Sequence, residues 1–245
     1  MEIIKAGVRN EIVKLLSLKK YQALLLLTGL IGISTALLGR AAKGLIGLLS
    51  SNMPNTVLSI STAFILPLMI AMAAADLFTA EQENGSIKAV ITRPISRISI
   101  FTTKILAIIL YIILALLVCL MTSMISSILS NGIGSLNIIE TFLAYAVSIV
   151  PMFPIILFAV TVSQLCKSSS STVMLSVFGY IIIVAVSTIF PSINPMVFTS
   201  YTGWYKLFIG AAMPITNILN VLVLLVAYTL ILFGVGSWAF EKKEY

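Results

Sequence analysis

Residues 76–104 read DLFTAEQENGSIKAVITRPISRISIFTTK, and two apolar runs flank them: 56–75 (TVLSISTAFILPLMIAMAAA) and 105–124 (ILAIILYIILALLVCLMTSM). Neither run holds a charged residue, whereas the stretch between them holds three acids and four bases. Twenty residues of helix at about 1.5 Å each are about 30 Å long, the thickness of a bilayer's hydrocarbon core. The pattern therefore predicts two membrane-spanning helices joined by a charged loop.

Working outward, four more apolar runs appear at 21–38, 141–163, 172–190 and 217–238. The whole chain of 245 residues is 60% hydrophobic and only 9% charged, with mean hydropathy +1.14. A soluble domain carries about 25% charged residues, so a soluble core is excluded. The runs are continuously apolar rather than alternating, which excludes an outer-membrane barrel. The expected fold class is an all-α polytopic membrane protein with six transmembrane helices. Residues 1–245 are expected to form a single transmembrane domain, leaving no room for a nucleotide-binding domain.

Residues 1–20 mix apolar and basic positions. On a helix, Ile4, Val8, Ile12 and Leu15 share one face, with Glu11 and Lys5 at its edges. This predicts an amphipathic helix lying in the membrane interface, the alternative being a charged leader that only fixes orientation. Pro67 predicts a kink in the second span, and Pro151 with Pro154 a bend or break in the fourth. Residues 191–216, rich in proline and aromatics, predict a short helical or re-entrant segment before the last span.

Twelve of the fifteen basic residues fall in the N-terminus, the 76–104 loop, the 164–171 link and the tail. Only Arg40, Lys43 and Lys206 fall on the other side. This bias predicts that both termini and the 76–104 loop are cytoplasmic, and it accounts for the net charge of +7 without nucleic acid. Cys119 and Cys166 lie in or beside apolar runs and read as small apolar residues rather than a disulfide.

Within the loop, Ile87, Val90 and Ile91 are spaced to give a short helix one apolar face. Asn84 is placed to cap it, Gly85 to form the turn before it, and Pro94 to end it. Glu81 and Glu83 before this helix could pair with Arg93 and Arg97 after it. A solvated loop with ordinary charges accounts for the same spacing.

The block Glu81-x-Glu83-x-Gly85-Ser86, followed by Arg93-Pro94-x-Ser96-Arg97 and Lys104, resembles the loop between the second and third spans of ABC-2 type transporter permeases. The layout of an interfacial helix, six spans and an outer segment before the last span resembles that family too. Within it, the chain looks most similar to bacterial peptide-antibiotic immunity and multidrug export permeases.

The resemblance implies two permease subunits, identical or paralogous, in the bacterial plasma membrane with two copies of a separate cytoplasmic ABC ATPase. Residues 84–94 would be the coupling helix, with Glu81, Glu83, Gly85, Ser86, Ile87, Val90, Ile91, Pro94 and Arg97 at the contact. Lys167, Ser168 and Ser169 would make a second, smaller one. No cofactor is expected in this chain: GxxxxGK[ST] is absent from it, so ATP and Mg would be bound by the partner. The chain would itself be no enzyme.

Rival classes are narrowed by what the sequence lacks. There is no histidine and one aspartate, Asp76, which argues against serine-type and two-aspartate intramembrane proteases. An ion-coupled carrier usually places ionisable groups inside its spans, and here Asp76 and Glu140 stand at span ends. That carrier and a non-transporting scaffold or sensor subunit remain the alternative readings. Ser59, Ser61, Thr62, Ser123 and Ser176 could line a mildly polar path or serve close helix packing.

Overall fold

A computed structural model describes residues 2–41, 53–86, 96–131, 137–209 and 214–243. The basic N-terminus and the first apolar run form two helices, α1 (Glu2–Ser17) and α2 (Lys19–Ala41), bent by 77° at Leu18. The buried side of α1 carries Gly7, Val8, Glu11, Ile12, Leu15 and Leu16, while Ile4 is exposed. The expected apolar face is thus rotated, and Glu11 sits in its middle instead of at its edge. The reason lies in α4 (Arg97–Asn131), on which α1 packs: Gly7 comes close to Thr103, and Lys104 takes the Glu11 carboxylate.

The second span, α3 (Pro54–Glu83), is one 30-residue helix made of α-helical pieces joined by π-helical turns at Ser61–Ile65 and Ala75–Thr79. Pro67 lacks an N–H and so leaves the Ala63 carbonyl without its helical donor. The Tyr180 hydroxyl takes that carbonyl at 3.0 Å, which is how the proline is accommodated inside the membrane. The helix does not stop at residue 75. It continues through Asp76, Glu81 and Glu83, and α4 already begins at Arg97, so both ends of the expected 76–104 loop are helical.

The fourth apolar run, α5 (Ile138–Val147) and α6 (Met152–Leu165), is interrupted at 148–151, just before Pro154. Then come α7 (Ser169–Ile189), three 3-10 turns at Asn194–Met196, Phe198–Tyr201 and Trp204–Phe208, and α8 (Ile215–Lys242). Among the described residues, five helices are long and apolar enough to cross a membrane, α5 and α6 counting as one, and up to six if the bent α1–α2 pair is one span. Among the described residues every regular element is helical.

α2 packs most extensively on α4, where Gly29 and Gly32 face Val118 and Thr122 and the Ser126 hydroxyl donates to Gly32 O at 2.6 Å. α3 lies between α4, α6 and α7, and α8 packs on α6 with Gly236 against Phe101 and Thr161. Small residues at these crossings let the backbones approach, the usual packing device where lipid supplies no hydrophobic drive. Ser61, Thr62, Ser123 and Ser176 are all buried between helices, and Ser61, Thr62 and Ser123 bond to Cys119, to Leu58 O and Ser59 O, and to Tyr145. By contrast α7 and α8 leave much of their apolar surface uncovered.

Candidate functional site: an ionic junction at one end of the helices

The end of α3 and the start of α4 carry most of the charged side chains whose partners the structure shows. Lys104 lies two turns into α4 and has no exposed surface. Its ammonium donates to Glu81 Oε2 at 2.7 Å and to Glu11 Oε1 at 3.1 Å, and stands 5.9 Å from the centroid of the Phe78 ring. The other Glu81 oxygen accepts from Lys14 of α1. Two carboxylates and two ammoniums thus form a group of zero net charge, which is what allows Lys104 to be buried at all. Glu11 Oε2 is buried without a hydrogen-bond partner among the described residues.

One turn deeper, Asp76 accepts from the Tyr21 hydroxyl and pairs with Lys20, and Tyr111 donates to Tyr21 O at 3.2 Å. Beside this lies an aromatic cluster: Phe101 packs on Phe78, Phe233 and Phe240 with ring centroids 5.5–5.7 Å apart. Rings contributed by α3, α4 and α8 thus pack against one another beside the junction.

The same end of α3 is fastened to the α6–α7 link. Ser168 caps α7, its hydroxyl accepting from Ser171 N, and Ser169 N donates to the Glu83 carboxylate at 3.0 Å. A carboxylate at this position also complements the positive end of the α7 dipole. Thr79 bonds Thr172 Oγ1 at 2.8 Å and Ser163 O at 3.2 Å.

The tail joins in. Arg97 donates to Glu241 O at 2.6 Å, and Lys243 donates to Gln164 O at 2.7 Å and Cys166 O at 3.4 Å. Burial pushes the Lys243 pKa below the ordinary lysine range, with Cys166 acting in the opposite sense.

Several expectations change here. Glu81 pairs with Lys14 and Lys104, which are 67 and 23 residues away in sequence, so its role in the fold is a buried tie. Glu83 reaches the α7 N-terminus, and Arg97 reaches the α8 carbonyls. Asn84 and Gly85 end the preceding helix: Asn84 N bonds Ala80 O, Gly85 N bonds Gln82 O, and Gly85 takes φ +68°. This is the left-handed glycine stop common after a helix C-terminus.

Asp76, Glu81 and Lys104 lie within continuous helices and not in a loop. Ser86 and Lys167 are exposed, and Ser168 and Ser169 are half-buried. Ile87, Val90, Ile91, Arg93 and Pro94 lie outside the described residues, as does the helix expected there. Glu11, Lys14 and Thr79 were missed from sequence. The signal for Glu11 was present, since it interrupts the stripe Val8–Ile12–Leu15 at helical spacing.

Such a molecule is a multi-pass helical membrane protein whose polar ties gather at one end, where four segments distant in sequence converge. Residues 6–245 match the family model described as ABC-2 family transporter protein. The chain belongs to the ABC-2 transporter family, and membership implies an ABC ATPase as its partner. No curated protein matches it.

Proposed function

We propose that the chain is the membrane permease subunit of an ATP-driven exporter and has no ATPase site of its own. Two such subunits flank the path, a separate ATPase supplies the energy, and residues 84–94 receive its motion. The observation that carries this reading is the convergence at the ionic junction. Each end of the 84–96 link is tied to other segments: Glu81 and Lys104 to α1, Glu83 to α7, and Arg97 to the α8 tail. A push on the link would be passed to α1, α7 and α8 together instead of being absorbed locally. In this scheme Glu81, Glu83 and Arg97 transmit motion, while exposed Ser86 and Lys167 mark surfaces offered to the ATPase.

The positive-inside bias supports placing this end, with both termini, in the cytoplasm of a bacterial plasma membrane. The uncovered apolar faces of α7 and α8 suit lipid or the second permease subunit. Asp76, Glu81 and Lys104 are engaged with partners at one end, which favours hydrophobic or amphipathic cargo, a peptide antibiotic or drug, over an ion-coupled relay.

The test is reconstitution of the permease with its ATPase in proteoliposomes. In a variant lacking Cys119 and Cys166, Ser86→Cys is expected to cross-link to the ATPase. Glu83→Ala/Arg97→Ala is expected to lower transport and permease-stimulated ATP turnover at unchanged expression. Full transport by that double variant would sink the coupling role.

A further inference from the structure

The side of α1 turned away from α4 carries bases and apolar residues together. Residues 1–20 hold five bases and two acids, Glu2 and Glu11. Glu11 turns inward onto Lys104, and Glu2 opens α1, where an acid complements the positive end of the helix dipole. Of the bases, Lys14 pairs with Glu81 and Lys20 with Asp76. Lys5, Arg9 and Lys19 are exposed, and none of the three has a hydrogen-bond or ion-pair partner among the described residues. Lys5 and Arg9 stand one helical turn apart, a like-charge spacing that disfavours the helix unless an anion lies beside it.

Ile4, Val13 and Leu18 are exposed among these bases, Val13 at 58%. Bases interleaved with apolar side chains suit the boundary between headgroups and acyl chains better than open water.

Depth agrees. The 77° bend at Leu18 turns α1 nearly across the axis of α2. Its inner side rests on the first two turns of α4, with Gly7 close to Thr103 and Glu11 bonded to Lys104. The span Arg97–Leu129 has 33 residues, about 50 Å of helix, against about 30 Å of hydrocarbon and about 40–45 Å with headgroups. Its end turns therefore stand among headgroups, and α1 stands with them.

We propose that the outer side of α1 docks on the headgroups of anionic phospholipid, with Lys5, Arg9 and Lys19 taking the phosphates. The inner side of the same helix holds Lys104 and Glu81 through Glu11 and Lys14, so lipid seated on α1 braces the ionic junction. The proposal stands apart from the coupling reading, because it concerns lipid association and not transport.

The purified full-length chain in neutral detergent is titrated with short-chain phosphatidylglycerol, short-chain phosphatidylcholine and inorganic phosphate, reading the melting temperature. Phosphatidylglycerol is expected to raise it saturably and more than the other two, because a ligand of the folded state stabilises that state. The excess should shrink in about 1 M salt, where the screening length falls to about 3 Å.

A base beside an anionic surface strengthens association about five-fold, so Lys5→Gln/Arg9→Gln/Lys19→Gln should raise the half-saturating concentration about ten-fold or more. The three side chains are exposed, so the melting temperature without lipid should not change. Lys206→Gln, at a base in the last 3-10 turn, should leave the phosphatidylglycerol response as it is. The proposal is overturned by equal stabilisation from phosphatidylcholine or inorganic phosphate, by unchanged half-saturation in the triple variant, or by an equal loss in Lys206→Gln. A triple variant that keeps its lipid response but no longer co-purifies with the ATPase also overturns it, and makes this side a protein contact.

Discussion

Glu81→Gln tests the junction most directly, because it removes one charge and almost no volume. Lys104 has no exposed surface and divides its ammonium between Glu81 at 2.7 Å and Glu11 at 3.1 Å. Removing one partner of a buried pair costs about 3–5 kcal/mol, since the remaining charge cannot regain its solvation. Glu11 still faces Lys104 in the variant, so the loss should fall near the lower end, about 3 kcal/mol. For a chain of this size, 1 kcal/mol corresponds to about 2–4 °C, which predicts a melting temperature lower by about 6–12 °C. Lys104→Met should be at least as harmful, because Glu81 would then keep only Lys14 and Glu11 would lose the partner that the structure shows for it.

The decisive variant combines the two. Glu81→Gln/Lys104→Met exchanges the Glu81–Lys104 pair for neutral groups of similar size, so its main remaining cost is the Glu11 carboxylate that loses Lys104. The double variant should therefore lose less than the sum of the single losses, with a coupling energy of about 2 kcal/mol or more. Thermal unfolding of the purified chains in detergent, followed by tryptophan emission, measures all three. Additive losses, or a Glu81→Gln variant within about 0.5 kcal/mol of the parent, would refute the burial argument.

Three further outcomes are expected. A methyl group at Gly32 would stand 2.2 Å from the Thr122 hydroxyl, so Gly32→Ala should cost about 1–3 kcal/mol by overpacking. The same melting assay should show partial recovery with Thr122→Ala, and no recovery would count against close α2–α4 packing. Tyr180→Phe should cost about 1 kcal/mol by orphaning Ala63 O, and clearly less in a Pro67→Ala background that restores a helical donor. Equal costs in both backgrounds would rule out that pairing. With Cys119 and Cys166 replaced, exposed Lys167→Cys should react in intact cells only with membrane-permeant thiol reagents, and labelling by an impermeant one would overturn the orientation.

The six apolar runs were legible because membrane burial demands long uncharged stretches, and the positions of Pro67, Pro151 and Pro154 marked irregularities. The ends of the helices were less legible, and for one reason. Charge at 76–83 and 97–104 reads locally as loop, yet its partners Glu11, Lys14 and Lys20 come from α1 and the start of α2. No local window contains both halves of those pairs. Gly85 forms the turn expected of it, and its left-handed φ also closes the preceding helix, an end that the local charge pattern concealed.

The same non-local pairing bears on how the molecule would move. A helix end held only by its own backbone bonds can fray without consequence elsewhere. Here the last turns of α3 cannot unwind without exposing Lys104 to a single remaining carboxylate, and without withdrawing Glu83 from the α7 N-terminus. Local fraying at this end therefore carries a cost set by burial, and rigid displacement becomes the cheaper response to force on the 84–96 link. Such a displacement would tilt the end of α3 about the π-helical turn at Ser61–Ile65, where the helical hydrogen-bond ladder already departs from regularity. Under the proposed coupling, stiffness at the junction and compliance at Ser61–Ile65 are complementary requirements. A chain with Glu81→Gln should then lose ATP-driven transport more steeply than it loses melting temperature, since weakening the tie restores the local fraying that dissipates the push.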